Sequence, residues 1–304
     1  MSTIPSHLPR FHRAADSIWA MQLTPRDVEI IRIVDEHRFI RSNQIISLAG
    51  GSPQQLLRRL QLLFHHGYLD RPRSQLSYFH EGGSKSIAYG LGNKGAKLLA
   101  NVSLQRRPRF DWTDRNQSVK QFYLQHSLLI SEVMVAMEKS CVRSEHIRLI
   151  REDELTARIN LRDPFRWTVD TGSYRLGLRP DKVFGLENTR TGDRAFYFLE
   201  ADRATMPVVR QSLSQSSFQR KLLAYEATWN QNVHRSRFNF NRFRVLTVTS
   251  SPARVKHLVE ACAQLKRGHG LFLFADADSF SRHADPLSFR WHTAQAGKTA
   301  SLFA

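Results

Sequence analysis

The sequence predicts an α+β / α/β protein of two domains, on three observations. Residues 24–100 hold three amphipathic helical segments followed by two short apolar runs around a glycine-rich turn. Residues 118–275 begin with a long helical segment and continue as strands alternating with helices, the pattern of a mixed sheet with helices packed on it. Residues 101–117 carry Arg106, Arg107 and Arg109 around Pro108 and read as a basic linker, with a solvated charge run as the alternative. Residues 276–304 show little periodicity and are expected to form a peripheral tail. A chain of 304 residues is long enough for two cores, and 41% hydrophobic residues with 19 Phe argue against disorder.

Charge narrows the choice of partner. Lys and Arg number 45 against 27 Asp and Glu, for a formal net charge of +18, and the pI is near 10.6. Such an excess is hard to explain unless the partner is polyanionic, with nucleic acid first and an anionic membrane surface second. No uncharged apolar run is long enough to span a bilayer. Residues 1–13 lack the apolar centre of a signal peptide, so a cytoplasmic location is expected. Cys141 and Cys262 sit in no metal-ligand spacing and read as two buried or idle thiols.

In order along the chain, Thr24-Pro25-Arg26-Asp27 combines an N-cap, a proline at the first helical position and an acid at the third, so a helix starts there. Val28, Ile30, Ile31 and Val34 are its expected buried side. A second helix follows Ser42-Asn43 with Ile45, Ile46 and Leu48, and stops at Gly50-Gly51. The third is capped by Ser52, opened by Pro53 and ended by Gly67; Leu56, Leu57, Leu60, Leu63 and Phe64 are its expected apolar face. Gln54, Gln55, Arg58 and Arg59 lie opposite, and such side chains read base edges or hold phosphates when a helix enters a major groove. A solvated amphipathic helix is the alternative. Residues 76–80 and 86–91 then read as strands about a turn at 81–85, and three helices plus a hairpin is the order of an N-terminal winged helix. Lys85 at the wing tip and Arg107 in the linker are candidate phosphate contacts.

From Ser118 a long helix is expected, with Phe122, Leu129, Val133 and Met137 buried; His126 on it reads as a structural histidine or a ligand. Residues 147–150 form a strand that ends in the acids Glu152, Asp153 and Glu154, and residues 162–175 an irregular excursion. Val183, Phe184 and Leu186 after Pro180-Asp181, and the apolar run at 195–199, flank a turn-rich Asn-Thr-Arg-Thr-Gly-Asp at 188–193 and predict a hairpin. The hairpin brings Asp181 near Glu200 and Asp202, while the next helix places Lys221 and Tyr225 one turn apart on one face. Converging carboxylates beside a cation suit a hard divalent metal at a phosphodiester; solvated or arginine-paired acids are the alternative. Later, 242–249 reads as a strand, Pro252 opens a helix, and 271–274 is a last short strand. Arginines and phenylalanines interleave over 235–244, as on surfaces that track single strands or as in a strand with one buried face.

These residues carry a resemblance. His126-Ser127-Leu128-Leu129-Ile130, Arg179-Pro180-Asp181, the run from Phe198 through Glu200-Ala201-Asp202-Arg203 to Thr205, and the run from Phe218 through Lys221 to Tyr225 resemble the bacterial replication-relaxation family over most of residues 24–275. The resemblance implies a winged helix followed by a mixed-sheet restriction-endonuclease-like domain, similar to the PD-(D/E)XK nucleases. It also implies roles in plasmid or mobile-element replication and transfer. Double-stranded DNA is the implied ligand, with a relaxase or replication proteins as partners. Winged-helix domains often pair, so a homodimer stays open, although no heptad marks an interface. The sequence departs from the nuclease pattern at Asp202, which stands where a lysine is expected; Lys221 would supply that cation from the following helix. Two functions follow: a DNA-binding accessory or regulatory protein, or an endonuclease or nickase in which Asp181 and Glu200 hold Mg²⁺ and Asp202 and Lys221 assist. RNA binding is a third reading, because a basic surface alone does not distinguish the two nucleic acids.

Overall fold

The computed structural model describes residues 8–14, 21–76, 86–103, 111–157, 159, 161, 163–172, 174–212 and 214–303. The chain is an α+β protein that divides into two compact units, Met1–Val135 and Ala136–Ala304. No helix among the described residues is long and apolar enough to cross a membrane.

The first unit begins with α1 (Pro25–His37), β1 (Phe39–Arg41), α2 (Ser42–Ala49), α3 (Pro53–His65), β2 (Leu69–Asp70) and β3 (Ala88–Leu91). This is the winged-helix order, with a small antiparallel sheet in the order β1-β3-β2. The α1 start is a reciprocal capping box: the Thr24 amide donates to Asp27 Oδ2 at 2.7 Å, and the Asp27 amide donates to Thr24 Oγ1 at 3.3 Å. Ile30, Ile31, Val34, Ile45, Leu56, Leu60, Leu63 and Phe64 share one core. Leu57, expected on the buried face of α3, is instead 47% exposed, because it lies about 100° around the helix from Leu56. A strand is expected over 76–80, but Leu76 is helical and directly follows a 3₁₀ turn, Arg73–Gln75; residues 77–80 and the turn at 81–85 lie outside the described residues.

α4 (Asn93–Ser103) follows β3 almost at once. Gly92 and Gly95 make that possible: a Cβ on either would run into the carbonyl oxygen of Gly67 or Tyr68, so backbone packs on backbone where β2 enters. α5 (Trp112–Gln117) and α6 (Gln121–Arg143) come next, and the division between the units falls inside α6. Phe122, expected to be buried on α6, is exposed, whereas Leu124 and Leu128 pack against Phe39.

In the second unit the elements are β4 (Ile147–Ile150), α7 (Glu152–Thr156), β5 (Trp167–Asp170), β6 (Arg175–Leu178), β7 (Lys182–Asn188) and β8 (Arg194–Asp202). They continue as α8 (Phe218–Asn230), α9 (Val233–Phe238), β9 (Phe243–Thr249), α10 (Pro252–Ala263), β10 (Phe272–Asp276), α11 (Ala277–Arg282), β11 (Trp291–Thr293) and β12 (Thr299–Ala300). The described residues form a seven-stranded mixed sheet, β12-β11-β10-β9-β8-β7-β4, in which β8, β9 and β10 run parallel. The expected β7–β8 hairpin forms, with Lys182 opposite Leu199, Glu187 opposite Arg194 and Gly192 at φ +77° in its turn.

Two segments carry more order than their sequence suggests. Over 162–175, expected to be irregular, β5 pairs with β6 and turns Trp167, Val169, Leu176 and Leu178 into the core, where the Trp167 indole donates to Thr228 Oγ1 at 2.9 Å. Over 276–304, expected to be a tail, β11 and β12 extend the sheet and bury Trp291 completely. Phe238, Phe240 and Phe243 are buried as well, so the phenylalanines of 235–244 serve the core. Cys141 and Cys262 are free and buried, and burial pushes their thiols up to about 11 and about 12.

The backbone contact at Gly95 gives a first prediction. Gly95→Ala forces the β2–α4 junction apart, and urea unfolding should report a loss of ~1–3 kcal/mol, whereas Gly177→Ala, with no atom near its Cβ, should cost far less.

Candidate functional site

The second unit places its acids at one end of the β7–β8 hairpin, at the start of β7 and the finish of β8. Asp181 precedes β7; its amide donates to Leu199 O at 3.0 Å and its Oδ2 accepts from the Ala201 amide at 2.8 Å, which ties the carboxylate across the strand pair. Phe198, Glu200 and Asp202 alternate onto one face of β8. Glu200 is 1% exposed and accepts from two groups of α8: Lys221 Nζ on Oε2 at 2.5 Å, and the Tyr225 hydroxyl on Oε1 at 2.6 Å. The spacing of Lys221 and Tyr225 by one turn lets one helix face serve both oxygens.

Electrostatics follow from burial. Burial pushes the Glu200 carboxyl above its ordinary range, Lys221 pulls against this, and the neighbouring Asp181 charge adds to it. Burial alone would lower the Lys221 ammonium, but Glu200, Asp181 and Asp202 hold it above its ordinary value. Burial and then the Glu200 charge push the Tyr225 phenol well up, so it stays a donor.

Asp202 is held differently. Arg254 grips it with Nε to Oδ2 at 2.8 Å and Nη2 to Oδ1 at 3.2 Å, and Thr249 Oγ1 donates to Oδ2 at 2.8 Å. Arg254 also reaches Met206 O at 2.6 Å. Sequence reasoning missed Arg254 and Thr249, which lie 52 and 47 residues away. The available signal was the Ser251-Pro252 helix start directly after β9: β9 runs parallel to β8 with Thr249 opposite Asp202, so the first turn of α10 arrives beside that carboxylate. Three carboxylates and two cations therefore meet here. The acids after β4 stay apart from them: Glu154 pairs with Arg148 at 2.6 Å, and Glu152 with Lys182 at 3.4 Å.

In the first unit, Gln54, Gln55 and Arg58 are exposed on α3 as expected. Arg59 turns instead to α1, where its Nε donates to Asp27 Oδ1 at 2.8 Å and its Nη2 binds Asp27 Oδ2 and Gln22 O. Burial would raise the Asp27 carboxyl, but Arg59 and the Thr24 donors outweigh it and hold it below the usual carboxylate range. Lys85 and Arg107 lie outside the described residues.

The replication-relaxation family model matches residues 31–242, more than half of the chain. No curated protein and no solved structure matches.

Removing the built-in cation should be costly. Lys221→Met leaves the Glu200 charge buried without its partner and should lower stability by about 3 kcal/mol at neutral pH. Because the Lys221 ammonium is held above its ordinary 10.5, its contribution is full below that pH and fades as pH rises through the higher folded-state value. The gap between wild type and variant in denaturant titrations should therefore be constant at neutral pH and narrow only above 10.5.

Proposed function

The chain belongs to the replication-relaxation family, and on that premise we propose that it is a DNA-binding accessory or regulatory protein of plasmid or mobile-element replication or transfer, acting in the cytoplasm. The observation that carries this reading is the outer face of α3, where Gln54, Gln55 and Arg58 stand exposed in a chain of net charge +18. Glutamine pairs bidentately with adenine and arginine with guanine in a major groove. Arg59 braces α3 from behind through Asp27, and Lys85 and Arg107 add phosphate contacts. The second unit then contacts DNA, a relaxase or another replication protein without cutting. Its carboxylates are matched from within, Glu200 by Lys221 and Asp202 by Arg254, so the cluster is stable with its own cations. A homodimer on paired half-sites fits the same reading.

A second reading is a Mg²⁺-dependent endonuclease or nickase on a PD-(D/E)XK-like domain, favoured by the meeting of Asp181 and Glu200 beside Lys221. Carboxylate oxygens are the donors Mg²⁺ takes. Each Glu200 oxygen accepts one hydrogen bond and keeps a further acceptor site, so Asp181 and Glu200 fit the ion by donor type. Bound there, the ion supplies Lewis-acid polarisation of a phosphodiester. Lys221 would orient the attacking water, and Asp202, committed to Arg254, would brace the strand end rather than contribute a ligand.

Duplex affinity measured against salt tests the first reading: log K should fall linearly with log salt by about 0.9 per phosphate contact, and Arg58→Ala should cost about 1–3 kcal/mol. A flat salt response would sink it. Supercoiled plasmid incubated with Mg²⁺ or Mn²⁺ separates the second. The accessory reading expects no nicking; metal-dependent nicking by wild type, lost in Asp181→Ala and Lys221→Ala with duplex binding retained, would establish the nuclease.

A further inference from the structure

A cavity of about 290 Å³ opens in the second unit at the end of β8 away from the carboxylates. Phe196, which lines it, precedes Glu200 by four residues on the same strand face, roughly 13 Å at the rise of a strand. Trp229 and Phe243 supply further aromatic wall, and Arg242 and Arg244 supply positive charge. The ring planes are held from behind. Trp229 stacks on His234 with centroids 4.7 Å apart and 6° between planes, and Phe196 stacks on Phe240 at 4.0 Å and 6°. Arg244 is tied to Ser301 O at 2.8 Å, while Arg242 stands exposed. The volume is at the small end for ligand sites, room for one planar group rather than an extended molecule.

Rigid aromatic walls take the flat face of a base, and a guanidinium at the rim takes an attached phosphate. We propose that this cavity binds one unpaired nucleotide, its base against Trp229 and Phe196 and its phosphate on Arg242. The inference rests on the DNA-binding reading only for the source of that nucleotide, which is either an unpaired position in a DNA strand or a free mononucleotide. Along β8 the cavity and the Asp181–Glu200–Lys221 cluster then lie one behind the other. The interleaved arginines and phenylalanines of 235–244 thereby divide their work: the phenylalanines pack in the core, where Phe243 also walls the cavity, and Arg242 holds charge beside it.

The test is tryptophan emission of the full chain titrated with dAMP, with a ten-nucleotide oligo-dA, and with the same oligomer made abasic. Saturable quenching by the oligomer and not by its abasic form is expected, with the signal lost in Trp229→Phe. Arg242→Ala should weaken binding about tenfold. Gly270→Phe should abolish it: Gly270 lines the cavity, a Cβ there meets no atom within 4 Å, and its backbone is not left-handed. Circular dichroism verifies that the variants fold. Quenching by dAMP as well assigns the site to nucleotides in general; quenching by the oligomer alone assigns it to a strand. Absence of saturable quenching by either, or quenching unchanged in Gly270→Phe, overturns the proposal. Duplex affinity measured on the same samples keeps the two readings apart. Duplex binding with a silent cavity defeats this inference alone, and quenching without duplex binding defeats the winged-helix reading alone.

Discussion

A carboxylate sealed on a central strand governs the second unit. Glu200 lies on β8 with β7 and β9 on either side, and an ionised group removed from water there costs several kcal/mol unless its oxygens are matched. The match comes from α8, whose Lys221 and Tyr225 must both reach Glu200, and this fixes the rotation of the helix on the sheet. Tyr225 then drops into an aromatic cluster, 5.7 Å from Phe198 and 6.3 Å from Trp167 between ring centroids. Two residues further along β8, Asp202 sets α10 in the same way through Arg254. Both helices are thus positioned by charge at the carboxyl ends of the strands and by apolar packing below.

The first unit solves a similar problem on a smaller scale. Asp27 closes the N-terminus of α1 and is fully buried, so it draws Arg59 inward from α3. One of the two arginines of α3 thereby becomes a brace between helices, and its neighbour Arg58 is left facing out. The Arg59–Asp27 clasp thereby locks α3 against rotation relative to α1.

What could be read from the residues was what their near neighbours decide. The Thr24–Asp27 box, the Leu56, Leu60, Leu63 and Phe64 stripe, the Asn188-to-Asp193 turn and the one-turn spacing of Lys221 and Tyr225 each span few residues, and each is formed as the sequence indicates. The remainder depends on partners that only the fold brings near. Nothing local distinguishes Arg58 from Arg59 until Asp27 arrives from α1. Asp202 reads as one more acid beside Glu200 until Arg254 reaches it from a helix 52 residues away. The β11 and β12 strands have three and two residues, too short for alternation to register, and exist because the β10 edge offers hydrogen bonds to β11, whose own edge then offers them to β12.

The parallel pairing of β8 with β9 has a consequence for how the chain can be divided. The family match stops at residue 242, and β9 begins at Phe243. A fragment trimmed to the matched residues would keep the β7–β8 hairpin and lose the strand that covers the other side of β8, together with Thr249 and Arg254 at Asp202. Its longest strand would become a bare apolar edge carrying an uncompensated acid, a template for joining further copies of itself. The boundary of recognisable ancestry and the boundary of a complete sheet are therefore different places in this protein.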